Sequence, residues 1–148
     1  MAPMIVVDTN IWVSAFITPR SYASRLKFFW QANRFDVIIS VPLLAELAEV
    51  LSRPRLQTKY KYSAEELASY VRLVAWLSDL VSVTGELSLC RDPKDDILLE
   101  TAIVGNASHI VSRDEDITRD TALFKQLERH GIKATTINRF LAELETAY

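Results

Sequence analysis

Short apolar runs alternate along the whole chain with segments of helical periodicity. The first run, Met4–Val7, is rich in β-branched residues and lacks polar alternation, which is typical of a strand buried on both faces of a parallel sheet. Further strands are predicted at 36–40, 80–84, 110–112 and 134–137. Strands that alternate with helices indicate an α/β fold with a parallel sheet and helices on both faces.

The helical segments carry recognisable start signals. Asn10 is expected to cap a first helix, Pro42 occupies a favoured first-turn position, and Ser63 with Glu66 forms a capping box. Helices are predicted over about 10–16, 21–32, 42–52, 63–78, 92–106, 120–130 and the segment after Asn138.

Length and composition narrow the class of protein. The chain has 148 residues, so we expect a single domain over 1–148, and its net charge of -2 argues against a wholly basic nucleic-acid binder. One cysteine, Cys90, allows no intramolecular disulfide, so a cytoplasmic protein is expected. The sequence predicts neither a signal peptide nor a membrane span. With three glycines, it has no glycine-rich phosphate loop.

Two acidic residues are candidates because of where the predicted elements place them. Asp8 follows the first strand directly, and ligands of open α/β sheets bind outside the carboxyl ends of the strands. Glu46 lies at the edge of the apolar stripe of its helix, whereas Glu49 lies further round towards solvent. Glu46 is therefore either an ordinary boundary residue or a ligand directed at the sheet edge.

A third candidate comes from the acidic segment 92–96. Asp92 is expected to be an N-cap, and Asp95 is explained by its favourable place in the first helical turn. Asp96 is the acid that capping explains least, so it is the candidate ligand. Glu100, one turn later, either assists Asp96 or is solvated.

The fourth candidate is Asp114, which follows the strand at 110–112 as Asp8 follows the first strand. Asp116 is the competing acid, but it lies further along the loop. Asp114 is preferred, and the choice between the two stays open.

Four carboxylates at one sheet edge would repel one another without a cation. Mg²⁺ and Mn²⁺ prefer oxygen ligands, and His109 and His130 have no metal-ligand spacing. Such a site suits phosphoryl chemistry, because the metal activates water and stabilises charge on phosphate. Thr9, Asn10 and Ser112 are expected to support the carboxylates or a phosphate.

These motifs together resemble the PIN-domain nucleases. The resemblance rests on Asp8-Thr9-Asn10 after a strand, Glu46, the segment 96–102 and the segment 110–114. The most similar subgroup is the one described as toxin components of toxin–antitoxin systems, related to VapC. Residue by residue, Asp8, Glu46, Asp96 and Asp114 match the acidic quartet, and Thr9, Asn10 and Ser112 match supporting polar positions.

The resemblance implies a three-layer α/β/α sandwich around a five-stranded parallel sheet of order 3-2-1-4-5. It implies an endoribonuclease that depends on Mg²⁺ or Mn²⁺, usually a homodimer, whose groove is covered by an antitoxin. The segment 117–130 is longer than the family pattern leads us to expect, so the loop after Asp114 departs from it.

A basic and aromatic stretch, 53–62, is the candidate RNA surface. Arg53, Arg55, Lys59 and Lys61 would follow phosphates, and tyrosines 60 and 62 would stack on bases. The alternative is a solvated connector or a dimer contact. Further options for RNA contacts are Arg20, Lys27, Arg113 and Arg119.

Two other functions are alternatives to the nuclease. A catalytically silent PIN-like module that binds RNA or protein is the main alternative, although an intact acidic quartet argues against it. A phosphoacceptor receiver domain would need an aspartate after the third strand, where this sequence has Thr84 and Gly85.

Overall fold

The computed structural model describes residues 2–113 and 120–147. Its centre is a five-stranded parallel sheet of order β3-β2-β1-β4-β5, as the family resemblance implied. The strands are β1 (Met4–Val7), β2 (Asp36–Ser40), β3 (Asp79–Val81), β4 (His109–Ser112) and β5 (Lys133–Thr136).

Helices connect the strands in the described part of the chain. They are α1 (Thr9–Ile17), α2 (Tyr22–Gln31), α3 (Val41–Leu51), α4 (Pro54–Tyr60), α5 (Ala64–Leu77), α6 (Pro93–Val104), α7 (Thr121–Arg129) and α8 (Ile137–Ala147). None of the helices among these residues is both long and apolar enough to cross a membrane.

The centre of the sheet is buried from both sides. Ile5, Val6 and Val7 are all buried, although neighbouring side chains on a strand point to opposite faces. Helices must therefore cover both faces, which gives the three-layer α/β/α arrangement. Helix α6 packs against β1 and β2. Gly105, which follows its last turn, lies so close to the sheet that a Cβ atom at this position would be 2.4 Å from the Ile38 side chain.

Several boundaries differ from those predicted. The first helix is capped by Asp8 rather than Asn10, because the Asp8 carboxylate accepts a hydrogen bond from the Asn10 N–H. The third strand ends at Val81, well before Thr84. The last helix begins at Ile137, so the predicted cap, Asn138, lies inside it.

The register of the central strands sets the position of the site. Val7 pairs with Val111 on β4, and the Asp8 N–H donates to the Val111 carbonyl at 3.0 Å. The carboxyl ends of β1 and β4 are therefore level, and the residues that follow them lie side by side.

Candidate active site

Asp8 occupies the turn from β1 into α1. Its backbone is extended, at φ -60° and ψ 141°, and its carboxylate accepts from the Asn10 N–H at 3.3 Å. An N-cap acid is favoured because helix-terminal N–H groups lack partners within the helix. The same feature that begins the helix thus places a carboxylate at the carboxyl edge of the sheet.

Glu46 on α3 faces this edge and is held by two neighbours. The Thr9 hydroxyl donates to one Glu46 carboxylate oxygen at 3.2 Å, and the Lys94 Nζ lies 3.6 Å from the other. Its side chain is 28% exposed, whereas that of Glu49 is 64% exposed and pairs with Arg53. The structure therefore separates the two glutamates in the way the helical pattern predicted.

Asp8 and Glu46 line an open cleft of about 330 Å³ together with two acids from the start of α6, Asp92 and Asp95. Thr9 and Asn10 line the same cleft. Asp92 is the N-cap of α6, as predicted, and accepts from the Lys94 N–H at 3.0 Å. Three segments, after β1, on α3 and at the start of α6, thus bring carboxylates to one place.

Asp95 has a strongly perturbed carboxyl group. Burial raises its pKa to about 7, helped by a hydrogen bond with Asp120 and by repulsion from Asp120, Asp92 and Asp8. These acids are therefore close enough to disfavour their simultaneous ionisation, which is the electrostatic setting that a bound cation relieves.

Asp96, the acid expected from the sequence, does not line this cleft. It is buried, and its Oδ1 accepts from the Leu89 N–H at 2.8 Å and the Cys90 N–H at 2.7 Å. Burial and a hydrogen bond to Asp96 also raise the pKa of the Cys90 thiol to about 12. Asp96 thus holds the loop before α6, and the structure assigns the place in the cleft to Asp95 instead.

The reason for this difference between Asp95 and Asp96 is geometric. Successive helical residues are rotated by about 100°, so two adjacent acids on one helix point in different directions. In the sequence, the favourable interaction of an acid with the helix N-terminus was enough to explain Asp95. An acid in the first helical turn can, however, interact with the helix dipole and face a site at the same time.

Sequence reasoning did not identify Asp120 as part of this region. It is 2% exposed, caps α7, and accepts from the N–H groups of Arg91 at 3.0 Å and Asp92 at 3.2 Å. Burial would raise its pKa, but hydrogen bonds, led by the one from Asp95, outweigh burial and lower it. In the sequence, Asp120 directly precedes a helical apolar pattern. Such a position predicts an N-cap, but it does not predict which distant residues the carboxylate contacts.

Glu100 neither contacts the cleft nor is solvated. It is buried, and it accepts from the Thr84 N–H, the Thr84 hydroxyl and the Gly85 N–H at 2.6, 3.0 and 3.1 Å. The hydrogen bond from the Thr84 backbone is the main reason that its pKa is lowered. Glu100 therefore anchors the loop after β3, a role that neither sequence alternative included.

The fourth predicted acid, Asp114, and its competitor Asp116 lie outside the described residues. Ser112, the last residue of β4, is buried beside the end of β1. Within residues 2–113 and 120–147, no three Asp, Glu, His or Cys side chains are grouped closely enough to hold a metal ion.

Most of the basic stretch, Pro54–Tyr60, forms helix α4, which the sequence pattern did not predict. Arg55, Lys59 and Lys61 are exposed, and Arg53 lines the acidic cleft. Tyr62 is buried, with its hydroxyl donating to the Leu51 carbonyl at 2.6 Å, so it is not available to stack on a base.

Comparisons with known proteins agree with this architecture. A family model described as PIN domain matches residues 4–116, well over half of the chain. An uncharacterised protein of Methanocaldococcus jannaschii is 22% identical over 143 residues, which are 95% of this chain and 91% of that protein. A chain in the crystal structure of VapBC2 from Rickettsia felis, bound to a DNA fragment from their promoter, is 19% identical with a TM-score of 0.55, covering 90% of this chain and 98% of that one.

Proposed function

Since this chain belongs to the PIN domain family, whose members are generally nucleases, we propose that it is a metal-dependent endoribonuclease. The observation that carries this proposal is the convergence of Asp8, Glu46 and Asp95 on one open cleft at the carboxyl edge of the sheet. Ligand sites of open α/β folds lie at this edge. The acid that follows β4, Asp114 with Asp116 as its alternative, completes the proposed set.

The donor chemistry of the cleft fits Mg²⁺ or Mn²⁺. The candidate ligands are all carboxylates, which suit hard divalent cations. Burial is the main cause of the raised pKa of Asp95, and repulsion from Asp120, Asp92 and Asp8 adds to it. When bound, such an ion activates a water and stabilises charge on the scissile phosphate.

The chain's own residues orient these groups. The Thr9 hydroxyl fixes one oxygen of Glu46, and Asp120 holds the backbone of the turn that leads into α6 through the Arg91 and Asp92 N–H groups. Lys94 places an ammonium group beside Glu46 and supplies positive charge for a phosphate that enters the cleft.

A cleavage assay on a mixture of RNAs tests the proposal. The chain should cut RNA with Mg²⁺ or Mn²⁺ and not with EDTA, and Asp8→Asn should abolish cutting. Asparagine is as good an N-cap as aspartate, so this variant removes the charge while keeping the cap. Metal-dependent cutting retained by Asp8→Asn at wild-type rate would refute the catalytic assignment.

The matched pair Glu46→Gln and Glu49→Gln provides the control. Both residues lie on α3, but Glu49 faces solvent and pairs with Arg53. Cutting should be lost with Glu46→Gln and unchanged with Glu49→Gln. Equal loss in both would point to the helix as a whole rather than to a carboxylate in the cleft.

We further propose that the nuclease is the toxin of a toxin–antitoxin pair, acting as a homodimer in the cytoplasm. The support is the PIN fold shared with a chain of the VapBC2 structure. Co-expression with a small protein encoded beside it should yield a stable complex that no longer cuts RNA. Full RNA cleavage by the purified complex would contradict an antitoxin role for that protein.

A further inference from the structure

A second cavity, of about 370 Å³, opens beside the acidic cleft, and α1 contributes to both. Thr9 and Asn10 line the cleft, while Ile11 and Ser14 line the second cavity. Arg113, directly after β4, also lines this cavity. Asp8 directly follows β1 and Arg113 directly follows β4, and these two strands are hydrogen-bonded neighbours. Neighbouring strands in a sheet lie about 4.8 Å apart, so the two residues are close together.

The two openings differ in charge. The cleft is lined by four carboxylates, those of Asp8, Glu46, Asp92 and Asp95, and by two basic residues, Arg53 and Lys94. The described residues that line the second cavity include Arg113 and no carboxylate. Among the described residues, those that line the second cavity therefore repel an anionic chain less than the four carboxylates of the cleft do.

The second cavity also presents an aromatic ring and an amide. Tyr22, the first residue of α2, lines it and is 54% exposed, so its ring is accessible. Asn138 of α8 is exposed at the same cavity. A ring that stacks on a base, a guanidinium near a phosphate and an amide for a base edge are the groups with which proteins hold unpaired nucleotides.

We propose that this cavity holds one nucleotide of single-stranded RNA next to the cleaved phosphate. Tyr22 stacks on its base and Arg113 contacts its phosphate. The subsite rests on the proposed nuclease function for its place beside the cleavage point. Its recognition chemistry is separate, because it uses none of the acids of the cleft.

A binding experiment with base-deleted RNA tests the subsite. The probe is a synthetic 12-nucleotide single-stranded RNA that contains a cut site mapped with the wild-type protein, in versions with one abasic nucleotide at each position. Affinities are measured in the Asp8→Asn background, which is not expected to cleave. One abasic position beside the cut should weaken binding about tenfold, as expected for the loss of one stacked base.

The coupling between protein and RNA decides the assignment. Tyr22→Ala should weaken binding of the intact RNA about tenfold. The Tyr22→Ala protein should then bind the RNA with that abasic position as tightly as it binds the intact RNA, because the stacking contact is already lost. Tyr22→Phe should behave like the tyrosine protein, because the ring is kept. Phe28→Ala is the matched control, since Phe28 is 67% exposed on the same helix and does not line the cavity.

Arg113 has its own readout. Arg113→Gln should lower the slope of log affinity against log salt by about one, as expected for one lost phosphate contact. Because this variant keeps Tyr22, its binding should still be weakened by the same single abasic position that weakens binding of the protein with Arg113.

The outcomes separate the subsite from the nuclease function. Cutting of RNA by the wild type with an abasic profile that Tyr22→Ala leaves unchanged would overturn the subsite alone, and would leave the cavity for a protein partner. If the wild type cuts no RNA, the abasic series is made in a 12-nucleotide single-stranded RNA that it binds, and coupling between Tyr22 and one base would then support base stacking in this cavity and overturn the nuclease function.

Discussion

Asp95 and Asp96 are adjacent acids with opposite surroundings. Asp95 lines the cleft with Asp8 and Glu46, while Asp96 accepts two backbone N–H groups from the preceding loop. Each can be neutralised with almost no change in shape, so the two substitutions form a matched pair.

We predict that Asp95→Asn abolishes metal-dependent cutting with little loss of stability. Asp96→Asn should instead destabilise the fold by about 1–3 kcal/mol, because two backbone N–H groups lose a buried, charged acceptor. Cleavage rates and denaturant unfolding on both variants check this. Loss of cutting by a fully stable Asp96→Asn, with Asp95→Asn active, would restore the assignment made from the sequence.

The raised pKa of Asp95 predicts a pH-dependent stability. Burial, the hydrogen bond with Asp120 and the neighbouring carboxylates raise this pKa from 3.8 to about 7. Between about pH 4 and 7 the unfolded chain therefore releases this proton while the folded chain keeps it, so stability falls as the pH rises through that window. Above pH 7 Asp95 is ionised in both the folded and the unfolded chain, so the loss of stability that its ionisation causes no longer changes with pH.

Asp95→Asn should remove this cost, since an amide cannot ionise and can still donate to Asp120. The variant should gain stability relative to the wild type between pH 4 and pH 7 and keep that gain at pH 8. Chemical unfolding at pH 5 and pH 8 in EDTA measures the difference. A stability gain of Asp95→Asn that becomes smaller as the pH rises would contradict a raised pKa for Asp95.

At the scale of elements, α4 carries the exposed part of the basic stretch beside the cleft. Arg55 and Lys59 lie four residues apart on it and are both exposed, while Arg53 at its N-cap lines the cleft. Under the proposed nuclease function, we therefore expect α4 to contact an RNA strand as the strand leaves the cleft, without the buried Tyr62.

Reversing both charges, Arg55→Glu with Lys59→Glu, should weaken RNA binding and reduce its salt dependence by about one for each lost phosphate contact. Lys125→Glu with Arg129→Glu on α7 is the control, because these residues have the same spacing and are also exposed. RNA affinity measured from low to moderate salt distinguishes the pairs. An identical loss in both would indicate a general effect of net charge.

At the scale of the whole molecule, the cleft joins segments far apart in the sequence. Asp8 follows β1, Glu46 is on α3 and Asp95 is on α6, and the parallel sheet brings them to one edge. A ligand that binds all of them binds the folded state alone, and such a ligand stabilises the fold in proportion to its occupancy.

Mg²⁺ should therefore raise the melting temperature of the wild type, with an effect that grows as its concentration rises above the dissociation constant. Asp8→Asn should melt at the same temperature with and without Mg²⁺. Thermal unfolding over a Mg²⁺ series, with EDTA as reference, provides the measurement. An equal rise in both proteins would mean that the ion binds elsewhere.

The sequence by itself determined the parallel α/β class and the order of strands and helices, apart from helix α4, which lies in the basic stretch. Apolar runs without alternation and helical stripes depend on local periodicity, and that information is present in the chain. The position of Asp8 at a strand end and the separation of Glu46 from Glu49 followed from the same periodicity. The strand order came from the family resemblance, and the structure confirms it.

Only the tertiary structure decided which acids meet. Asp95 rather than Asp96 lines the cleft, Glu100 anchors a distant loop, and Asp120 reaches back to the turn before α6. Each of these roles depends on which neighbour packs against a helix at one particular angle. Adjacent residues on a helix have the same local signals, so packing between distant segments distinguishes them.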